Sequence, residues 1–258
     1  MKVLFFSTLI VLAIVFDASA GEEDVVLELE GRYWFTDLKA STRFDDEVRG
    51  TDINLERDLD LGEENFPEGR LIWYTGPKSS LFFDATWAKW EGEETLSQTV
   101  DIRDRTFDIG ARVASELDFQ LYRIGWVWQF IDASDGLIRF GTLVDIRAVV
   151  ADFSIEGELN NVSQRAEENL TVPLASLGFA LDINPFKATN LFFRGSGIPN
   201  TPYGYFISGE AGIKIIPFKN FSIVGGYRYE DFNAHNTSDT TQVKLRLVGP
   251  FAGLSLRF

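Results

Sequence analysis

His235 is the only histidine in a chain of 258 residues, and it stands in the polar run Asn233-Ala-His-Asn-Thr-Ser-Asp239. An imidazole base beside a hydroxyl and a carboxylate is the equipment of nucleophilic hydrolysis, and Ser238 and Asp239 follow closely. Such a triad works only when a rigid framework holds its members in line, and three neighbours in one polar run have none. The chain contains neither a Gly-x-Ser-x-Gly elbow nor a His-Glu-x-x-His metal helix. We therefore expect no catalytic residue, with a lipid-modifying or proteolytic enzyme as the remote alternative.

Metal chemistry has one candidate, Asp52-Ile-Asn-Leu-Glu-Arg-Asp-Leu-Asp60-Leu-Gly-Glu-Glu64, which resembles a calcium loop. Its sixth position is Arg57 where such loops need glycine for the turn, and its twelfth is Glu63. No metal and no cofactor are expected. The acids of this region read as a solvated surface.

Most other charges fall at alternate positions of apolar segments. The acids Glu28, Glu30, Asp84, Asp145, Asp182, Glu210 and Glu230 do so, as do the bases Arg32, Arg123, Arg139, Arg147, Arg194, Lys214, Arg228, Lys244, Arg246 and Arg257. Successive strand side chains point to opposite faces, so these charges share the inner face of a barrel whose outer face is apolar. Enclosed charges must pair, because an unpaired buried charge is expensive. Arg139, Asp145, Arg147, Glu210 and Lys214 are expected to pair with one another in such a plug. Seven acids against ten bases makes the interior net basic, and the competing reading is a narrow anion-preferring pore.

The elements that would hold these residues are short and alternating. Val25, Leu27, Leu29, Tyr33 and Phe35 oppose Glu28, Glu30, Arg32 and Trp34. Tyr122, Ile124, Trp126, Trp128 and Phe130 share a face, as do Phe140, Thr142, Val144, Ile146, Ala148 and Val150. Ten such strands are expected, with eight or twelve as alternatives. Short turns fall near 76–79, 132–136, 185–190 and 217–220, and longer acidic loops near 37–66, 91–104, 157–169, 197–204 and 233–240. Residues 105–130 are too long for one crossing, so we expect an external hairpin arm over 105–114 that runs on into a membrane strand. A lipocalin-like soluble barrel shares the alternation with apolar residues inward. Tyrosine, tryptophan and phenylalanine bunched near strand ends, and loops of unequal length at the two ends, favour the membrane.

Both ends of the chain carry their own signals. Residues 1–20 hold Lys2, an apolar run from Val3 to Phe16 and Ala18-Ser-Ala20, which reads as a cleaved signal peptide too short to span a bilayer. Residues 21–258 then form one barrel domain. The chain has no cysteine and a formal charge of −15, which exclude a disulfide framework and argue against nucleic acid as a partner. In the last strand Val243, Leu245 and Leu247 oppose Lys244 and Arg246; after Gly249-Pro250 the phase is expected to slip, with Ala252, Leu254, Leu256 and Phe258 taking over the apolar face. This ending resembles the closing strand of bacterial outer-membrane β-barrels of the OmpA/OmpX-like type, with Gly253 and Phe258 matching and Leu256 where a second aromatic is usual. The resemblance implies an antiparallel up-and-down transmembrane barrel in the bacterial outer membrane. It also implies lipid as surroundings and the barrel-assembly machinery as a partner that reads Gly253, Leu256 and Phe258. It transfers no activity. A structural or surface-interaction role with a charge-plugged lumen is the leading expectation.

Overall fold

Ten antiparallel strands form a barrel because the first finds the last, leaving no edge with unpaired backbone groups. The computed structural model describes residues 25–44, 52–62, 64–97, 99–102, 105–159, 162–201, 204–235 and 241–258. The signal-peptide reading of residues 1–20 lies outside them, as do Ser238 and Asp239. In chain order the elements are β1 (Leu27–Phe44), β2 (Asp52–Asn54), α1 (Leu55–Leu59), β3 (Glu64–Gly76), β4 (Ser79–Thr95), β5 (Val100–Ile102) and β6 (Arg105–Phe107). They continue with β7 (Arg112–Ala133), β8 (Ile138–Leu159), β9 (Val162–Phe186), β10 (Thr189–Thr201), β11 (Gly204–Phe218), β12 (Phe221–His235) and β13 (Thr241–Arg257). The wall runs β1-β3-β4-β7-β8-β9-β10-β11-β12-β13 and closes by β13 pairing with β1. At the seam Phe258 O accepts from Val26 N at 2.8 Å and Leu27 N at 3.1 Å.

Most of the long strands change character part of the way along. From the turn end, Leu27, Leu29, Tyr33 and Phe35 of β1 point outward while Glu28, Glu30 and Arg32 point inward. Past Thr36 the assignment reverses: Asp37 and Lys39 are outside, and Leu38 and Ala40 are buried. β7 repeats this, with Ile124, Trp126 and Trp128 outside the lower half and Leu117, Phe119 and Leu121 inside the upper half. The lower half is thus apolar outside over about 9–11 residues per strand, the length of one tilted bilayer crossing. The upper half is built like a soluble barrel. Its core gathers Trp34, Leu38, Phe66, Trp90, Val113, Leu117, Phe119, Ile155 and Leu247, with edge-to-face ring contacts linking Trp34, Phe66, Trp90 and Phe119.

Several expected loops are therefore strand. β8 and β9, of 22 and 25 residues, pair as strand over 157–159 and 162–169, and β1 continues to Phe44. Their acids face water on the outer surface of an extended wall, so polarity there does not mark a loop. Residues 105–130 divide as β6 and the single strand β7; the external hairpin is β5–β6, a separate two-stranded sheet over 100–107. The phase slip expected at Gly249-Pro250 does not occur. β12 and β13 pair in unbroken register from Phe221↔Leu256 to His235↔Gln242. Leu245 and Leu247 therefore point inward, and Lys244 and Arg246 outward above the membrane, because the medium changes along the strand while the backbone phase does not.

The mouth is capped by α1. Asn54 caps its N-terminus by accepting from Arg57 N, and Asp60 ends it in the left-handed region at φ 55°. Leu55 and Leu59 are buried beneath it, and a Cβ on Gly92 would strike Leu59 O, so the helix rests on bare β4 backbone. The calcium-like segment 52–64 is thus a strand–helix cap: Asp58 accepts from Asn54 N at 2.9 Å and pairs with Arg57 at 2.8 Å. Burial raises the Asp58 carboxyl, but these partners outweigh it and hold the group below its usual range.

Candidate functional site

Ten side chains at membrane depth close into a ring in which acids and bases alternate. Arg32 donates to Glu210 at 2.9 Å, and Glu210 also accepts from Arg70 at 3.1 Å. Arg70 holds Asp84 bidentately at 2.6 and 2.9 Å, and Arg123 lies 3.6 Å from the same carboxylate. Asp145 accepts from Arg123 at 2.8 Å and Arg147 at 2.7 Å; Arg147 donates to Glu230 at 3.0 Å. Glu230 accepts from Arg228 at 2.6 Å, Arg228 donates to Glu68, and Glu68 lies 3.4 Å from Arg32, which completes the circuit.

The circuit draws on β1, β3, β4, β7, β8, β11 and β12, so it exists only when the barrel is closed. Each arginine guanidinium also lies on an inward aromatic ring. Arg32 covers Phe251 at 4.6 Å, Arg123 and Arg70 cover Phe82 at 4.7 and 5.8 Å, Arg147 covers Phe206 at 4.3 Å, and Arg228 covers Trp34 at 4.6 Å. Planar, weakly hydrated guanidinium groups suit this double use, in-plane to carboxylates and face-on to rings. Hydroxyls fill the remaining acceptor sites: Ser176 donates to Asp145 at 2.8 Å and Thr86 to Glu68 at 3.2 Å.

A branch leads toward the turn end. Arg32 pairs with Glu30, Lys214 reaches Glu28 at 2.6 Å and Glu30 at 3.2 Å, and Tyr74 OH donates to Glu28 at 2.9 Å. Arg257 lies 3.8 Å from Glu28. A second, smaller cluster has Asp182 accepting from Arg194 at 2.8 and 2.9 Å, with Asn190 beside it. Above the ring the inside is apolar, and the cavity there, lined by Phe119, Leu121, Val149, Phe206 and Phe232, holds about 10 Å³, room for one water.

Not every expected lumen residue is there. Arg139 lies at the turn end with its side chain 40% exposed, 3.6 Å from Asp132, and Lys244 and Arg246 are outside. Asp145 and Arg147 pair as expected, but Glu210 pairs with Arg32 and Arg70, and Lys214 with Glu28 and Glu30. Glu68 and Arg70, both buried members of the ring, were not among the expected lumen charges. Their signal was present: Glu68 and Arg70 sit at i and i+2 on the face opposite Leu71 and Trp73. The ring carries Arg32, Arg70, Arg123, Arg147 and Arg228 against Glu68, Asp84, Asp145, Glu210 and Glu230. It is balanced, five against five, and two of the ten expected bases, Lys244 and Arg246, lie outside the barrel.

Among the remaining site residues, Leu256 and Phe258 face outward, Leu256 opposite Leu29, and Gly253 faces inward, where an added Cβ would strike Gly31 O and crowd Arg32. His235 ends β12, and its side chain lies outside the described residues. Among the described residues no group of three or more acidic, histidine or cysteine side chains gathers as a metal site.

A closed barrel with an apolar belt, aromatic side chains such as Trp73, Trp87, Trp126, Trp128 and Tyr227 on its outer surface, and charges inside it is a transmembrane β-barrel of the bacterial outer-membrane class. No family model and no curated protein matches the sequence. Among solved structures, the outer-membrane protease OmpT of Escherichia coli superposes with a TM-score of 0.62 at 7% identity, covering 92% of this chain and 97% of that one. OprG of Pseudomonas aeruginosa, at 10% identity, has a TM-score of 0.39 over 93% of this chain and 99% of its own. At such identities the likeness to OmpT is one of fold.

Proposed function

We propose that the protein is a closed, non-conducting outer-membrane barrel with a structural or surface-interaction role. The observation that carries this reading is the ring. Its five acids and five bases are each paired within the lumen, and apolar side chains fill the space above it. A conducting path would need wet, unpaired charge along its length, and an anion-selective one an excess of bases. One similar structure is described as a protease; in this chain the barrel mouth is occupied by Leu55, Leu59, Trp90 and Phe66, which supports a non-enzymatic reading. Insertion would be guided by the assembly machinery through the outward Leu256 and Phe258 and the small Gly253.

The test is single-channel conductance of the refolded protein in a planar bilayer, after heat-modifiable migration on a gel has established folding. Folded, inserted protein is expected to be silent. Reproducible steps with anion preference would refute the closed reading.

A further inference from the structure

Outward charge above the belt is divided by sign. Over β4, β7, β8 and β9 it is acidic, and Lys89, Arg112 and Arg165 there are each tied to a glutamate, at 2.8, 2.6 and 2.7 Å. Over β13 and β1 the surface is basic. Lys39 stands directly opposite Arg246 in the β1–β13 register, and Lys244 lies two positions further on, opposite Ser41. All three are exposed. Directly opposed strand residues have Cβ atoms about 5 Å apart, so the Lys39–Arg246 juxtaposition is repulsive unless an anion lies between them.

The neighbours hold this patch in place and offset two of its three charges. Asp231, across β12–β13 from Arg246, accepts from Arg246 at 3.0 Å, Tyr229 OH at 2.7 Å and Tyr205 OH at 3.2 Å. Asp231 is itself buried, so its one charge fixes the guanidinium and leaves the outer donors free to face the membrane surface. Among the described residues Lys39 pairs with Asp37, at 3.7 Å, and Lys244 makes no ion pair. Among the described residues three cations thus stand over two carboxylates, in a chain of formal charge −15.

Depth supplies the last argument. Lys39 is four residues past the belt residue Phe35, and Arg246 is four past Pro250, on strands tilted by about 40°. At about 3.3 Å per residue Lys39 and Arg246 lie within about 10 Å of the hydrocarbon edge and Lys244 about 15 Å from it, the level of lipid head groups. Tyr227 and Tyr229 lie just below, where amphipathic rings flank a head group.

We propose that Lys39, Lys244 and Arg246 form a binding site for the phosphomonoester head group of a lipid in the surrounding leaflet. The anion would sit between Lys39 and Arg246, with its acyl chains running down the outer face of β13 and β1. The test is native mass spectrometry of the refolded protein from neutral micelles doped with phosphatidic acid or phosphatidylcholine. One phosphatidic acid is expected to stay bound where phosphatidylcholine does not. Lys39→Gln/Lys244→Gln, which leaves the Asp231 network intact, should weaken retention about thirtyfold, equivalent to about 2 kcal/mol for two charges at a membrane surface. Lys89→Gln/Arg112→Gln, on the acidic side, should leave it unchanged. Equal retention of both lipids, or undiminished retention by the Lys39/Lys244 variant, would overturn the site. Displacement of the lipid by millimolar inorganic phosphate would overturn its assignment to a lipid.

Discussion

Asp145→Asn tests the ring at its most constrained point. Arg123 and Arg147 face each other across β7 and β8, and Asp145 stands between them, accepting from both and from Ser176. The substitution keeps the shape and removes the charge, leaving two opposed buried guanidinium groups. Removing one partner of a buried ion pair costs about 3–5 kcal/mol. Here Arg147 keeps Glu230 at 3.0 Å and Arg123 keeps Asp84 at 3.6 Å, so the lower end applies, about 3 kcal/mol. The measurement is reversible urea unfolding in phospholipid vesicles, followed by tryptophan fluorescence. If charge balance is the cause, Arg123→Met in the Asp145→Asn background restores part of the loss. A loss below about 1 kcal/mol, the worth of one neutral hydrogen bond, would show that the ring is solvated and the reasoning wrong. So would a double variant whose loss equals the sum of the two single ones.

Three further outcomes follow from the same geometry. Asp118, outside and above the belt, faces Asp152 across β7–β8; burial first, then Glu116 and Asp152, raise its carboxyl despite Lys89. A carboxyl raised by folding binds its proton more tightly in the native state, so stability falls as pH rises through its titration. Asp118→Asn should therefore stabilise by about 0.5 kcal/mol at pH 7, with the gain vanishing below about pH 4, as read from melting at both pH values. Gly249→Ala would drive a Cβ into Phe35 O on β1, next to the Trp34 indole N–H that donates to Gly249 O at 3.1 Å, whereas a Cβ on Gly31 meets nothing within 4 Å. Heat-modifiable migration should be lost for the first and kept for the second. Leu59→Asp should free α1 from the mouth, giving proteolytic cleavage near residues 55–61 while the membrane half stays protected.

The membrane half was legible because alternation, turn residues and aromatic strand ends agree there, and ten strands with four short turns followed from them. The upper half was not. At Asp37, Glu91, Glu93 and Glu167 the outward face is acidic, so polarity suggests loop where the chain continues as strand. Alternation says which residues share a face and is silent on what lies against that face. That is why Leu245 and Leu247 were assigned to lipid and Lys244 and Arg246 to the lumen. Glu68 reads as a surface acid for the same reason, although its spacing from Arg70 sets it inside.

The reversal of polarity along the strands also fixes how high the protein stands. A barrel whose outer surface were uniformly apolar could slide along the bilayer normal at little cost. Here a downward shift of two residues would carry Asp37, Lys89 and Asp118 toward hydrocarbon, where a lysine costs about 2–4 kcal/mol near the midplane, and aspartates or positions toward the edge cost less. An upward shift would lift Phe35, Trp87 and Tyr122 into water. The belt is a vertical stop acting from both sides, so the β8–β9 wall projects from the cell at a set elevation, with whatever it meets held at a set distance from the lipid.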